Sequence, residues 1–349
     1  MSVLDDWIAR AQQERVSDVH IVAGLPVRGR VDGRLLDLTE TPMSWEDCEN
    51  VGRELAGSRF SEIERMGEVD LAKSFPCGVR TRINLFRQQG SLSAAIRLLA
   101  ERIPELEELQ LPPAVSNFEN YRTGIVLVTG ETGSGKSTTL ASVLNRINHT
   151  RQAHIITLED PIEYLHRDRR SIVSQREIAI DTTDYLSALR ACLRQAPDVI
   201  LLGEMRDHET IRTAMTAAET GHLLIATLHT NGAVNTIDRI IDSFPSTQQS
   251  QIRVQLSMVL RTVVSQRLLP DVEGGLVPAY EIMHMNAAIR SMIRDCKNHQ
   301  IDNVIAAGGG EGMKAMDQSI LELYQAGIIT RETAMDYADH PEQMLRRLG

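Results

Sequence analysis

The residues best suited to chemistry lie in the run Gly130-Glu131-Thr132-Gly133-Ser134-Gly135-Lys136-Ser137-Thr138. Glycines at that spacing let a backbone fold round an anion with its N–H groups turned inward. Lys136 can then reach terminal phosphates, and the Ser137 hydroxyl is placed for a divalent cation. The chemistry implied is the binding of a nucleoside triphosphate with Mg²⁺. Hydrolysis would further need one group to orient water and others to serve the metal. Two acidic groups answer that need, Glu159-Asp160-Pro161-Ile162-Glu163 and Glu204. Glu204 is read as the residue that orients and activates the attacking water, with Glu159, Asp160 and Glu163 serving the Mg²⁺ shell or a second water contact. A common pattern for such sites has Asp directly before the catalytic Glu, and Gly203 stands there instead. Direct metal ligation from that strand is therefore not expected.

These groups need elements that aim them at one point. Ile125-Val126-Leu127-Val128 is an apolar, β-branched run of the kind a parallel strand needs when both faces are covered. It ends at Thr129, and Thr138 to Asn148 has helical composition, so the phosphates would sit at a helix N-terminus, where the dipole favours negative charge. The acidic groups follow strand-like runs at His154 to Leu158 and Asp198 to Gly203. In open parallel sheets ligands gather beyond the carboxyl ends of the strands, so these carboxylates are aimed at the nucleotide. His222 and His229 flank another such run, Leu223 to Leu228. An extended segment of that length spans roughly 23 Å, so the two imidazoles cannot share one phosphate. His229, at the carboxyl end beside Thr230 and Asn231, is the candidate γ-phosphate sensor; His222, at the other end, suits a structural hydrogen bond or a subunit contact.

The strands alternate with helical stretches from Tyr121 onward, the βαβ signature of a parallel sheet wrapped by helices. The first hundred residues differ. Val19 to Val22 and Val27 to Val31 read as short strands, Asp32-Gly33 as a hairpin turn, and Trp45 to Ala56 as a helix. Val79 to Gln88 sets Arg80, Arg82 and Asn84 against Val79, Thr81, Ile83 and Leu85, which predicts a half-buried strand with an arginine-bearing face. That face is either a ligand surface or simply solvated. Ile103 to Asn117, with its proline pair, reads as the interdomain linker. After about Pro270 come one more strand at Val277 to Met285 and short amphipathic helices at Ala287 to Asp295, Met316 to Ala326 and Arg331 to Ala338, with Gly308-Gly309-Gly310 as a loose connection. The expected division is 1–107, a small N-terminal α+β domain; 108–117, linker; 118–270, an α/β nucleotide-binding core; and 271–349, a C-terminal strand and helical appendage.

Composition sets outer limits. A chain of 349 residues exceeds one ordinary hydrophobic core. A net charge of −10 and 4% aromatic residues disfavour a protein that grips nucleic acid through a basic face with stacking side chains. Cys48, Cys77, Cys192 and Cys296 are scattered, with no C-x-x-C pair, and read as reduced thiols rather than a zinc ribbon or disulfide framework. The N-terminus is charged throughout, and no later run has the uninterrupted apolar length of a membrane span, so a cytoplasmic chain without a transmembrane segment is expected.

GETGSGKST, ITLEDPIEY at Ile156 to Tyr164, DVILLGEMRD at Asp198 to Asp207 and the His-flanked segment Thr220 to Pro245 resemble the Walker A, Asp box, Walker B and His box of secretion-superfamily ATPases. SDVHIVAGLP at Ser17 to Pro26, RVDG at Arg30 to Gly33 and RTRINLFRQQ at Arg80 to Gln89 resemble the N-terminal domain of the PilT family, the type IV pilus retraction motors. AAIRSMIRD at Ala287 to Asp295 is similar to that family's C-terminal retraction motif, with Ser291 and Met292 in place of its usual Asn-Leu. The resemblance implies a PAS-like N-terminal domain followed by a RecA-like P-loop ATPase core. It also implies a homo-oligomeric ring, usually a hexamer, in which bound ATP and Mg²⁺ lie between the N-terminal domain of one subunit and the core of another. Sequential turnover would then power pilin removal, retraction and twitching motility, at the inner face of the cytoplasmic membrane and against an inner-membrane platform protein. Arg82, with Arg80, would read phosphates in trans, although Arg97, Arg190, Arg194 and Arg206 are also candidates for a neutralising finger.

Extension and secretion relatives of the same superfamily typically carry a tetracysteine zinc insertion and a longer N-terminal region, and this chain has neither. A dedicated secretion-system relative of the retraction type stays open. A RecA-like DNA motor is disfavoured by the acidic balance, and a non-hydrolysing scaffold by Glu204.

Overall fold

The computed structural model describes residues 2–31, 33–99, 102–109 and 111–348. They form two compact units, one of residues 1–103 with 161–165 and one of 104–160 with 166–349.

The first unit is built on a six-stranded antiparallel sheet: β1 (Asp18–Ile21), β2 (Arg28–Val31), β3 (Arg34–Asp37), β4 (Glu68–Ser74), β5 (Arg80–Gln88) and β6 (Ser91–Leu98), in spatial order β3-β2-β1-β6-β5-β4. The expected hairpin turn joins β2 and β3; Asp32 itself lies outside the described residues. β5 alternates as its sequence predicts, with Thr81, Ile83 and Leu85 fully buried and Arg82 exposed. The buried face packs against helices Val3–Gln13, Trp45–Ala56 and Phe60–Met66 through Ile8, Leu55 and Ile63. Ser2 and Ser44 begin the first two with reciprocal capping boxes to Asp5 and Asp47, satisfying amides that would otherwise lack acceptors.

The second unit holds seven strands: β7 (Gly124–Thr129), β8 (His154–Glu159), β9 (Ile172–Glu177), β10 (Val199–Leu202), β11 (Leu223–Leu228), β12 (Leu260–Pro270) and β13 (Leu276–His284), in order β13-β12-β7-β11-β10-β8-β9. All neighbours are parallel except β12 and β13. The uninterrupted apolar runs have a direct cause: successive residues enter opposite faces, and both faces are covered. Leu127, Leu158, Leu202 and Leu224 join one core with helices His208–Glu219, Ala233–Asp242 and Ser246–Val259. Val126, Val128, Val199 and Ile225 join the other with helix Lys136–Thr150. Each side chain so buried contributes roughly 1.5–3 kcal/mol.

Three features differ from the sequence reading. The boundary between units falls after Ile103, and Val115 and Phe118 are fully buried in the second unit, so the proline-containing stretch is packed structure; Gln110 within it lies outside the described residues. The C-terminal helices belong to the same unit, because Met316, Ile320, Ala334 and Met344 cover Leu269, Val277 and Ala279 of the β12–β13 hairpin. Gly308-Gly309-Gly310 forms a tight 3-10 turn, Gly308–Glu311, against Met313. Among the described residues the four cysteines are free thiols, and no helix is long and apolar enough to cross a membrane.

Candidate functional site

The parallel register sends four connections out of one edge of the second sheet. Leu228 pairs with Thr129, and Leu202 pairs with both Ala226 and Leu158. The run Gly130–Thr138, the acidic pair Glu159-Asp160, Glu204 and His229 therefore all leave at the carboxyl ends, where the alternation of strand and helix predicts them.

The glycine-rich run enters helix Lys136–Thr150, whose N-cap, Gly135, is left-handed (φ 87°) and supplies no side-chain cap. The first turn carries no acidic residue. Amides at a helix start have no acceptor within the helix, so this end is suited to an anion. Lys136 is 8% exposed, and its ammonium donates to the Gly130 and Glu131 carbonyls at 2.8 and 2.7 Å. Ser134 is buried, and its Oγ has no hydrogen-bond partner. Ser137 is exposed in the first turn. Among the described residues no three His, Cys, Asp or Glu side chains could hold a metal ion. Mg²⁺ at a triphosphate takes most of its shell from phosphate oxygens and water, so one or two protein oxygens suffice. Ser137 lies in the first turn of helix Lys136–Thr150, while Glu159 and Asp160 follow β8, which β11 and β10 separate from β7.

Glu204 is 15% exposed. Its Oε1 pairs with Arg206, and its Oε2 lies 3.7 Å from His229 Nε2. His229 is 51% exposed and open to a ligand. Beside it, Asn231 donates from Nδ2 to Glu131 Oε1 at 2.9 Å, so the segment after β11 touches both the glycine-rich run and, through His229, Glu204. Glu159 Oε1 accepts from the Thr157 hydroxyl and from the Gln175 amide of β9. Tyr185 joins the two acidic groups: burial, then the charges of Asp160 and Glu204, push its phenol well above the ordinary range. Glu163 and Arg82 belong to the first unit, Glu163 in the segment 161–165 and Arg82 on β5, opposite Arg97. His222 Nδ1 lies 2.9 Å from the Ala217 carbonyl, a structural bond away from the carboxyl edge. Among the other candidate arginines, Arg206 is held by Glu204, Arg190 lies 3.5 Å from Glu209 and Arg97 lies 2.8 Å from Asp18.

Gly203 has a steric reason. A Cβ there would lie 2.8 Å from the Tyr185 hydroxyl and 3.0 Å from the Leu158 carbonyl, so the Asp of the commoner pattern does not fit. Gly203→Asp is expected to cost about 1–3 kcal/mol through overpacking, read as a lower Tm of the purified chain. An unchanged Tm would show that Tyr185 moves aside freely.

Reading the sequence alone does not reveal Gln266. Ser265 pairs with Thr129 across β12 and β7, which stands Gln266 beside the glycine-rich run, where its Oε1 accepts from the Thr139 hydroxyl at 2.9 Å. No local signal marks it, since Gln266 stands between Ser265 and Arg267 in a mixed stretch. Helix Ala287–Arg294, with the altered Ser291 and Met292, buries Ile289 and Ile293 in the core, and Arg290 donates to the Ser257 carbonyl. Ser291 bonds Asp295 at 3.1 Å, and Met292 packs partly buried.

A glycine-rich anion loop, a helix N-terminus and an acidic residue at the carboxyl end of β10, one strand removed from β7, define a P-loop nucleotide hydrolase on a RecA-like sheet. The type II/IV secretion system protein family matches residues 1–303. The chain is 40% identical over 340 residues to the type IV pilus retraction ATPase PilT of Pseudomonas aeruginosa, covering 97% of this chain and 99% of that one. It is 43% identical over 317 residues to a twitching motility protein of Neisseria gonorrhoeae, covering 90% and 85%. A crystal structure of the pilus retraction motor PilT with bound ADP superposes with a TM-score of 0.93 at 43% identity, covering 99% of both chains. The chain belongs to the type II/IV secretion system protein family and is an ATP-hydrolysing enzyme.

Proposed function

We propose that the chain is the motor ATPase of type IV pilus retraction, a hexameric ring of identical copies working at the cytoplasmic face of the inner membrane on a pilus platform protein. The observation that carries this reading is the joining of the Lys136 loop, Glu204 and His229 at one sheet edge in a chain similar along nearly its whole length to a retraction ATPase. Gly130 to Thr138 hold the phosphates, with the Lys136 ammonium turning from loop carbonyls to phosphate oxygens. A cavity of ≈ 530 Å³ beside Gly135, Thr138 and Thr139, walled by Leu268, Val277 and Ile328, accepts the base. Ser137, with Glu159 and Asp160 serving the shell, would hold Mg²⁺, which would supply charge neutralisation at the terminal phosphates. Glu204 orients the attacking water and takes its proton. His229 senses the γ-phosphate. Arg82 acts on the nucleotide of a neighbouring copy. Turnover moves the domains because ATP and ADP make different contacts in each arrangement.

Deleting the gene tests the proposal. Cells should accumulate surface pili and stop twitching, and should recover when the native chain is supplied. Deletion cells that twitch normally would overturn the retraction reading, while hydrolysis by the purified chain is measured separately.

A further inference from the structure

Glu281 on β13 is a carboxylate only 8% exposed, an expensive place for a charge without partners. Its Oε1 accepts the Ala233 amide at 2.7 Å. Ala233 opens helix Ala233–Asp242, whose N-cap is Gly232, a residue with no side chain to serve the free amides. The missing cap comes instead from a strand 48 residues away. On the neighbouring strand β12, the Ser265 hydroxyl accepts the Gly232 amide at 3.0 Å. Two side chains of one hairpin thus fasten the Gly232-Ala233 junction.

The segment before that junction reaches the reacting groups. Asn231 bonds Glu131, Thr230 and Thr236 share a hydroxyl contact of 2.7 Å, and His229 faces Glu204. Shifting the Ala233 amide therefore shifts the residues that touch the phosphate loop and the proposed base. Burial pushes the Glu281 carboxyl up to about 7; the Ala233 amide and Arg267 act against this, and Asp302 and Asp339 add to it.

We infer that Glu281 is a positioning residue for ATP hydrolysis, holding the His229–Gly232 segment so that His229 and Asn231 stay in contact with Glu204 and Glu131. The inference rests on the proposed roles of Glu204 and His229. Its effect is on turnover rather than on nucleotide affinity, because Ser265 and Glu281 pair across the β12–β13 hairpin and leave it on the face opposite Gln266 and Tyr280, which line the cavity assigned to the base.

The test is steady-state hydrolysis of Mg·ATP by the full chain, with ATP affinity measured separately. Glu281→Ala should lower kcat roughly 10–50-fold while KM and ATP affinity change less than about 3-fold, as for an interaction expressed mainly in the transition state. Glu281→Gln keeps an oxygen that can accept the amide and should stay within about 3-fold of native. Because Glu281 acts through His229, adding Glu281→Ala to His229→Ala should lower kcat little further. Native kcat in Glu281→Ala, an equal loss in Glu281→Gln, or fully additive losses in the double variant would overturn the inference. If Glu281→Ala does not fold, Ser265→Ala carries the test: reduced kcat at unchanged Tm supports the inference, and native kcat overturns it. A native rate in His229→Ala would instead remove the role given to His229, a distinct failure.

Discussion

Glu204→Gln should bind ATP with native affinity while kcat falls by roughly 10²–10⁴, the usual worth of a positioned general base. The amide has the shape of the carboxylate, so contact with Arg206 and the 3.7 Å approach to His229 Nε2 can persist. What it lacks is the basicity to take a proton from water. Equilibrium ATP binding measured beside steady-state hydrolysis separates the two properties. Undiminished turnover would remove Glu204 from the role and move attention to Glu159, Asp160 and Glu163. Loss of binding together with turnover would show that Glu204 holds the site's shape rather than performing a step.

Gly130→Ala should abolish measurable nucleotide binding and lower stability by roughly 2–5 kcal/mol. Gly130 has φ 143°, a region that L side chains avoid, and a Cβ there would lie 2.3 Å from the Gln266 carbonyl oxygen and 2.6 Å from Ser134 Oγ. The first of these is backbone of β12, which cannot rotate away. The glycine-rich run or the strand must move, and Lys136 would lose its place with it. Gly133→Ala is the control. Its φ is 82°, but nothing stands within 4 Å of the added Cβ, so only the backbone cost of about 1–2 kcal/mol applies. Thermal unfolding with nucleotide titration checks both. Equal losses in the two variants would mean that backbone conformation, and not the approach of β12, decides the geometry of the loop.

The contrast between Gly130 and Gly133 also marks how far the sequence can be read. The phosphate loop and the strands β7, β8, β10 and β11 were legible because each carries a local signal: glycine spacing or an unbroken apolar run. β12 has no such signal. Its eleven residues interleave Arg261, Ser265, Gln266 and Arg267 with apolar ones, so it matches neither a two-sided buried strand nor a clean alternation. It is ordered by its neighbours β7 and β13. Gln266, Ser265 and Glu281 were illegible for the same reason, since their partners at Thr139, Gly232 and Ala233 are distant in the chain.

By itself, then, the order of residues determined the nucleotide chemistry, the carboxyl-edge placement of Glu159, Asp160, Glu204 and His229, and the alternation that builds a parallel sheet. These depend on local conformation and on the period of apolar residues, which neighbouring positions encode. Only the tertiary structure decided that Asn231 meets Glu131, that Tyr185 fills the space an Asp at 203 would need, that the C-terminal helices share a core with the β12–β13 hairpin, and that a glutamate from β13 caps the helix after His229. Those contacts arise from which strands lie side by side, and strand order in a sheet is set by the packing of the whole unit.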